Sequence, residues 1–256
     1  MIRALRSSRL VRDVCLGMAL LAAAGCGGGK SSSSTSSSQA SADFDFGSND
    51  SRKATAFGDS ITVGVLELQR RGLGLTTRNN YPNILQARLR SFDPTWRVVN
   101  RGVGGEHSSE GAARMSSTLN LDKPGFVLIM EGTNDAHQCQ DKVALINNLS
   151  SMVRAAQANK TIPIIGTIPP SFRNNACADD IITEVNLNIH SLATASGVVV
   201  AEIFDGMNHR ELFGTAPDRD PLHPNEQGYQ VMADVWLQAM LQAIPGGVTA
   251  ALHRRR

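Results

Sequence analysis

Five short apolar runs, rich in β-branched residues, alternate along this chain with longer segments of helical periodicity. The predicted strands are Lys53–Gly58, Arg97–Gly102, Phe126–Glu131, Ile162–Ile168 and Val198–Phe204. The predicted helices are Tyr81–Phe92, Asp141–Asn159, Asp179–Ala195 and Asn225–Ile244. Near-continuous apolar strands are typical of parallel sheets that are buried on both faces. The alternation therefore predicts one α/β domain, a three-layer α/β/α sandwich with right-handed crossovers.

The segment before the first strand has the pattern of an export signal. Four arginines lie between positions 3 and 12, and Val14–Ala24 is an apolar run too short to span a bilayer. Small residues then lead into Cys26, which resembles a bacterial lipoprotein signal, although Ala23 stands where leucine is usual. We expect residues 1–25 to be a signal peptide and Cys26 to be lipidated. The alternative is an ordinary secretory peptide that is cleaved nearby.

Residues 26–50 are mostly glycine and serine as far as residue 41, a composition typical of flexible tethers. We therefore expect a lipid-anchored domain in a bacterial cell envelope, facing the periplasm or the outer surface. The folded domain is then residues 51–246, a length sufficient for one substantial core. Residues 247–256, which end in three arginines, are expected to be a flexible tail.

The charge of the chain argues against nucleic acid as a partner. Without residues 1–25 the chain has 21 basic and 22 acidic residues, because that segment removes four Arg and one Asp. No basic stripe with interleaved aromatic residues is evident. We expect a monomer that does not bind nucleic acid.

Two cysteines remain in the folded domain after Cys15 and Cys26 are set aside. Cys139 and Cys177 each lie in a loop just past a predicted strand. Because export would place them in an oxidising compartment, we predict a disulfide between them. Two free thiols, buried as small apolar groups, are the alternative.

Ser60 is the candidate nucleophile. It follows Phe57-Gly58-Asp59 at the end of the first predicted strand, where an open α/β sheet binds its ligands. Asp59 is more typical of a helix cap than of a catalytic group. Thr62 stands where the Gly-x-Ser-x-Gly elbow needs its second glycine, which argues against a conventional α/β-hydrolase.

His223 is the candidate base, in the string Asp220-Pro221-Leu222-His223-Pro224. Asp220 can accept the Nδ1 proton of the imidazole, which leaves Nε2 free to face a serine. The two prolines stiffen this loop, and Asn225 fits as the N-cap of the last predicted helix.

Donors for a developing oxyanion follow two other strands. Asn134, in Gly132-Thr133-Asn134-Asp135, offers a side-chain amide after the third predicted strand. The glycines of Asn100–Gly105 follow the second strand and allow the backbone to approach a substrate closely. With the backbone N–H of Ser60 they form a plausible three-donor oxyanion hole.

Four blocks, Phe57–Ser60, Asn100–Gly105, Gly132–Asp135 and Asp220–His223, resemble in order and spacing the signature blocks of the SGNH hydrolases. These enzymes are also called GDSL esterases and lipases. The resemblance extends from residue 53 to about residue 230, with Ile61 where the family name implies leucine. It implies a flavodoxin-like, five-stranded parallel sheet.

The resemblance also implies a role for each matching residue. Ser60 is the nucleophile, His223 the base and Asp220 the group that orients it. Gly105, which precedes Glu106 as the family glycine precedes a polar residue, joins Asn134 and the Ser60 backbone in the oxyanion hole.

The predicted function is therefore a serine esterase that hydrolyses O-acyl esters through an acyl-enzyme. Short-acyl or acetyl esters, on a small molecule or a polysaccharide, are the expected substrates. A lysophospholipase or thioesterase for longer chains is one alternative, and a non-catalytic carbohydrate-binding lipoprotein of the same fold is another. We expect no cofactor and no metal, because Asp135 and His137 with Asp220 and His223 fit no compact metal motif.

Overall fold

The computed structural model describes residues 44–70, 73–214 and 220–245. Its strands are β1 (Asp50–Gly58), β2 (Val65–Arg70), β3 (Leu73–Thr76), β4 (Arg97–Gly102), β5 (Pro124–Met130), β6 (Ile162–Gly166) and β7 (Val199–Ala201). Its helices are α1 (Ser60–Val63), α2 (Tyr81–Phe92), α3 (Ser108–Asp122), α4 (Thr133–His137), α5 (Lys142–Ala158), α6 (Ala176–Ser196), α7 (Ile203–Met207) and α8 (Glu226–Ala243). A 3₁₀ turn covers Arg210–Leu212.

Five of the strands form one parallel sheet in the order β4-β1-β5-β6-β7. The first strand lies between the second and third of the sheet, which is the flavodoxin-like order. The predicted three-layer α/β/α fold with a five-stranded parallel sheet is thereby confirmed. Gly58 of β1 lies opposite Gly102 of β4 and Met130 of β5. The carboxyl ends of these three strands therefore meet at one edge of the sheet.

Helices cover both faces of the sheet with large apolar side chains. On one face α2 and α8 pack together, and the rings of Tyr81 and Trp236 stack with centroids 5.9 Å apart. On the other face α3, α5 and α6 bury residues such as Met115, Leu149 and Ile182. Burial of each such side chain is worth roughly 1.5–3 kcal/mol, so the two layers hold the strand ends in fixed relative positions.

Two strands end two or more residues before their predicted limits. The prediction carried β6 to Ile168 and β7 to Phe204, but both residues lie beyond the ladder. The Ile168 N–H donates to Asn186 Oδ1 at 2.8 Å, and the Phe204 N–H donates to Thr167 Oγ1 at 2.8 Å. At these two residues a side-chain oxygen, and not a backbone carbonyl of the neighbouring strand, accepts the hydrogen bond. The chain therefore turns away from the sheet at these points.

The hairpin formed by β2 and β3 and the helix α3 were not predicted. The hairpin is antiparallel and makes its own two-stranded sheet directly after α1. Helix α3 makes contact with α5 and forms part of the second apolar layer.

Residues 44–50, which the prediction assigned to the tether, make contacts with the folded domain. The rings of Phe46 and Phe126 lie 5.8 Å apart, and Asn49 Nδ2 donates to the Asn159 carbonyl at 2.7 Å. These contacts join residues 44–50 to the amino-terminal end of the sheet.

The predicted signal peptide, Cys26 and the tail at 247–256 lie outside the described residues. Within the ranges that are described, the helices are too short or too polar to cross a membrane.

Candidate active site

Ser60 is the first residue of α1, directly after the end of β1. The Asp59 carboxylate caps this helix by accepting from the Ile61 N–H at 2.8 Å, which is the capping role expected from the sequence. A Cβ on Gly58 would lie 2.3 Å from the Met130 carbonyl oxygen, so only glycine lets β1 pass β5 this closely. The strand end and the cap together present Ser60 at the edge of the sheet.

The structure brings Ser60, His223 and Asp220 into one hydrogen-bonded line. Ser60 Oγ lies 2.9 Å from His223 Nε2, and His223 Nδ1 lies 2.5 Å from Asp220 Oδ2. If Nδ1 carries the proton and donates it to the carboxylate, Nε2 can accept from the serine hydroxyl. The line is then suited to removing a proton from Ser60.

The His223 loop is fixed at its far end by α8. Asn225 caps this helix by accepting from the Gly228 N–H at 2.9 Å, as the sequence predicted. The Asn225 N–H also donates to the Leu212 carbonyl at 2.9 Å, and Phe213 forms an isolated bridge with Pro224. The loop that carries the imidazole is therefore held by backbone contacts at Pro224 and Asn225.

Asp220 is buried and carries more hydrogen bonds than the one to His223. The Arg173 guanidinium donates from Nε and Nη2 to Oδ1 at 3.0 and 2.8 Å, and the Leu222 N–H donates to Oδ1 at 3.1 Å. Burial alone would raise the pKa of the Asp220 carboxyl. The hydrogen bond and charge of His223, with the hydrogen bonds of Arg173 and Leu222, hold that pKa well below its ordinary range.

The two predicted oxyanion residues follow the neighbouring strands. Gly105 comes three residues after β4 and has φ +76°, in the left-handed region that favours glycine. It is exposed, and a Cβ built on it meets no atom within 4 Å. Asn134 lies in α4, after β5, and its Nδ2 donates to the Glu106 carbonyl at 2.8 Å. Because an amide nitrogen has two hydrogens, one N–H of Asn134 is left for a substrate.

Glu106, whose carbonyl accepts from Asn134, belongs to a cluster of charged side chains with Arg114 and Glu131. Arg114 donates to Glu106, with Nε 2.5 Å from Oε1, and its Nη2 lies 3.9 Å from Glu131 Oε1. The Arg114 guanidinium also stacks on the Phe57 ring, 3.7 Å from the centroid. Burial, followed by the negative charges of Asp59 and Glu106, raises the pKa of Glu131 well above its ordinary range.

Asp59 belongs to the same buried region, next to the nucleophile. Its side chain is almost completely inaccessible to solvent. Burial raises the pKa of this carboxyl to about 6, against a lowering from the Ile61 N–H bond and the charge of His223. Asp59 is thus a helix cap whose charge depends on pH.

A disulfide joins Cys139 to Cys177, with Cα atoms 5.9 Å apart. It links the turn after α4 to the first turn of α6. Beside it, Asn175 Nδ2 donates to the His137 carbonyl at 3.2 Å. Burial and the positive charge of Arg173 lower the pKa of His137, so this histidine is neutral near pH 7. The loop that carries Arg173 is therefore attached to the helix that carries the candidate oxyanion amide.

The sequence did not indicate Arg173 or Arg114 as parts of the site. Arg173 is one arginine in a loop between a proline pair and two asparagines, and no spacing relates it to Asp220. Arg114 lies on α3, a helix that was itself missed. Among the described residues, no group of three or more His, Cys, Asp or Glu side chains is arranged to hold a metal ion.

The chain is similar to known proteins along the whole length of this site. A profile of the GDSL-like lipase/acylhydrolase family matches residues 56–231. Esterase TesA of Pseudomonas aeruginosa is 33% identical over 117 residues, which are 45% of this chain and 54% of TesA. An arylesterase of Vibrio mimicus is 26% identical over 128 residues, which are 49% of this chain and 60% of that protein. The alignments thus span little more than half of each of these two relatives.

A solved structure shares the fold. The lipase/acylhydrolase of Enterococcus faecalis superposes with a TM-score of 0.62 at 22% identity, over 73% of this chain and 94% of that one. The family profile begins within β1, four residues before Ser60, and ends within α8, past His223. On this match the chain belongs to the GDSL-like lipase/acylhydrolase family, the SGNH hydrolases of the sequence resemblance.

Proposed function

We propose that this protein is a serine esterase that cleaves carboxylic esters through an acyl-enzyme. Ser60 is the nucleophile, His223 the general base and Asp220 the group that orients the imidazole. The observation that carries the proposal is the hydrogen-bonded line from Ser60 Oγ to His223 to Asp220, with distances of 2.9 and 2.5 Å. Membership of the family, whose relatives above are named esterases, supports the same chemistry.

The reaction then proceeds by two acyl transfers. Ser60 Oγ attacks the ester carbonyl carbon while its proton passes to His223 Nε2. The tetrahedral intermediate collapses, and His223 returns the proton to the oxygen of the departing alcohol. Water repeats the sequence on the acyl-enzyme: His223 takes a proton from water, and Ser60 recovers its hydroxyl as the acid leaves. Asp220 stays ionised throughout and stabilises the imidazolium that forms in each half.

Three donors stabilise the oxyanion in this scheme: the backbone N–H groups of Ser60 and Gly105 and a side-chain N–H of Asn134. The hydrogen bond from Asn134 to the Glu106 carbonyl supports this role, because it fixes the amide plane while leaving one N–H unused. Preorganised donors of this kind are effective because they need no reorientation as charge develops.

For substrate, we propose a short acyl group, such as acetyl, on a small alcohol or a polysaccharide. Gly104 and Gly105 are exposed, and a Cβ on either glycine meets no atom within 4 Å. An open site on this side leaves room for a large alcohol, whereas a long acyl chain needs a buried apolar channel. Preference for longer chains, as in a lysophospholipase or thioesterase, is the competing outcome.

Two measurements test the assignment. A fluorophosphonate probe should label the wild type and should not label Ser60→Ala. In a series of p-nitrophenyl esters from acetate to palmitate, the wild type should show the highest kcat/KM on the esters with the shortest acyl chains. Ser60→Ala should lose activity by a factor on the order of 10⁶ while retaining the wild-type melting temperature. Turnover by Ser60→Ala, or a wild type that neither reacts with the probe nor cleaves any ester, would mean a binding protein or a different mechanism.

We also propose export and lipid anchoring at Cys26. The arginine-rich start, the apolar run and the Gly/Ser segment support it, and a disulfide at Cys139–Cys177 is typical of an oxidising compartment. A Cys26→Ala variant expressed in a bacterial host should leave the membrane fraction and should no longer incorporate labelled palmitate. Membrane association that survives this change would point to another mode of attachment.

A further inference from the structure

The Asp220 carboxylate is held mainly by one side chain from a distant loop. Besides its two bonds to Oδ1, Arg173 donates from Nη2 to Oδ2 at 2.9 Å, the same oxygen that faces His223 Nδ1. The Leu222 N–H adds a backbone hydrogen bond to Oδ1. The guanidinium therefore determines the plane in which the carboxylate lies.

The loop that carries Arg173 runs alongside the Asp220 loop. The Phe172 N–H donates to the Pro221 carbonyl at 3.1 Å, and the Phe172 ring packs edge-on against Phe213 at 5.2 Å. These contacts hold the two loops side by side, with Arg173 next to Asp220. The pairing is thus built into the loop and does not depend on the long arginine side chain alone.

We propose that Arg173 is a positioning residue for the esterase reaction. It holds the Asp220 carboxylate so that Oδ2 faces His223 Nδ1, and so keeps Nε2 aimed at Ser60. The inference rests on the proposed roles of Ser60, His223 and Asp220. Arg173 itself touches neither the serine nor the oxyanion donors in this scheme, and it acts only through Asp220.

The physical reason lies in the burial of the carboxylate. The Asp220 side chain is only 1% exposed, so its hydrogen bonds come from protein donors that hold it in a fixed orientation. Without Arg173 the carboxylate loses the three hydrogen bonds that the guanidinium donates to it, and its plane is less firmly fixed. A misplacement of about 1 Å in a catalytic group can cost on the order of 100-fold in rate. Lysine would restore the charge but not the two-pronged geometry.

The molecule contains a matched pair that serves as a control. Arg101 donates from Nε to both oxygens of Asp122, at 3.2 and 3.0 Å, and also from Nη2. The arginine is 36% exposed and the aspartate 4%, against 38% and 1% for Arg173 and Asp220. Removing Arg101 therefore breaks an ion pair of similar geometry and burial that has no contact with His223.

The experiment compares Arg173→Met, Arg173→Lys and Arg101→Met on p-nitrophenyl acetate. We expect Arg173→Met to lower kcat by roughly 10- to 100-fold with KM within about twofold of wild type. Arg173→Lys should recover part of the loss, and Arg101→Met should keep the wild-type kcat. Equal kcat values in Arg173→Met and Arg101→Met would overturn the proposal. If Arg173→Met does not fold, Arg173→Lys decides, because it must still show a lowered kcat.

A second readout does not depend on turnover. The proton on His223 Nδ1, held in a 2.5 Å contact with Asp220, should give a low-field proton NMR resonance in the wild type and in Arg101→Met. That resonance should broaden or disappear in Arg173→Met, and its unchanged persistence there would contradict the positioning role. A wild type that shows the resonance but cleaves no ester would refute the proposed function alone.

Discussion

The two halves of the candidate site are built in different ways. Ser60, Gly105 and Asn134 each follow the carboxyl end of a strand, and the three strands are neighbours in the sheet. Asp220 and His223 instead lie in a loop before α8, outside any strand. We call these the strand-end half and the loop half.

This difference shows which contacts fix the positions of the side chains in each half. In the strand-end half, the ladder of backbone hydrogen bonds sets the spacing, and the Arg114–Glu106 pair supports it from below. In the loop half, contacts with other parts of the chain set the positions. Arg173 binds Asp220, and the Cys139–Cys177 disulfide holds the loop that carries Arg173. The strand-end half should therefore lose activity only when the nucleophile or an oxyanion donor is removed. The loop half should be sensitive to the contacts around it.

Apart from loss of the nucleophile itself, the largest expected effect is on the loop half. Asp220→Asn should lower kcat/KM by roughly 10⁴-fold, less than Ser60→Ala, because an amide cannot stabilise the imidazolium or fix its tautomer. Initial rates on p-nitrophenyl acetate measure this, with circular dichroism to show that the fold is intact. A loss below about tenfold would mean that other groups orient His223 and that the loop half is less demanding than we infer.

The disulfide gives the next test of the loop half. Cys139→Ser combined with Cys177→Ser should lower the free energy of unfolding by about 4 kcal/mol, because the bond closes a loop with a sequence separation of 38 residues. Urea unfolding measures the loss, and the wild type with dithiothreitol should show a similar loss. Stability equal to that of the oxidised wild type would show that non-covalent contacts suffice to hold this loop.

In the strand-end half, Asn134→Ala should lower kcat by about 10²- to 10³-fold with little change in KM, because one oxyanion donor is lost. Asn188→Ala is the control, since Asn188 also donates its amide to a backbone carbonyl, that of Glu184 at 3.0 Å, on the exposed side of α6. Equal kcat values for the two variants would remove Asn134 from the oxyanion hole.

The smallest expected effect concerns stability in the strand-end half. The folded-state pKa of Asp59 is raised to about 6 from 3.8, so between about pH 4 and 6 the folded protein binds more protons than the unfolded chain. Stability therefore falls as pH rises through this window. One pKa unit corresponds to about 1.4 kcal/mol, so Asp59→Asn should be more stable than wild type by about 3 kcal/mol at pH 7.

Urea unfolding at several pH values tests this expectation. The difference between Asp59→Asn and wild type should be largest near pH 7 and should shrink toward pH 4. Asp93→Asn is the control with the opposite sign, because hydrogen bonds from Thr95 lower the pKa of that carboxyl. Parallel stability curves for wild type and Asp59→Asn would show that Asp59 does not titrate in this window.

The strand-end half was predictable because each of its groups directly follows an apolar run. The runs ending near Gly58, Gly102 and Met130 identify three strands, and parallel strands bring their carboxyl ends to one edge. Ser60 and Asn134 then lie close together whatever the loops do. For the same reason, small errors at the far ends of β6 and β7 had no effect on the predicted site.

The missed parts depend on information that short-range patterns do not contain. The buried side of α3 includes Ser108, Gly111, Thr118 and Asp122, so four of its six buried residues are polar or small and its apolar periodicity is weak. Arg173 reaches Asp220 across 47 residues of sequence, through the geometry of two irregular loops. Neither helix α3 nor the Arg173–Asp220 pair produces a residue spacing that can be recognised in a single sequence.

The start of β1 gives the domain an orientation. The strand enters at Asp50, beside the packed ring of Phe46, and ends at Gly58, just before Ser60. At about 3.3 Å per residue, the point of entry lies roughly 26 Å from the reacting edge. Phe44, the first residue that the structure describes, packs against Phe46 and so lies near the end of the sheet opposite the serine.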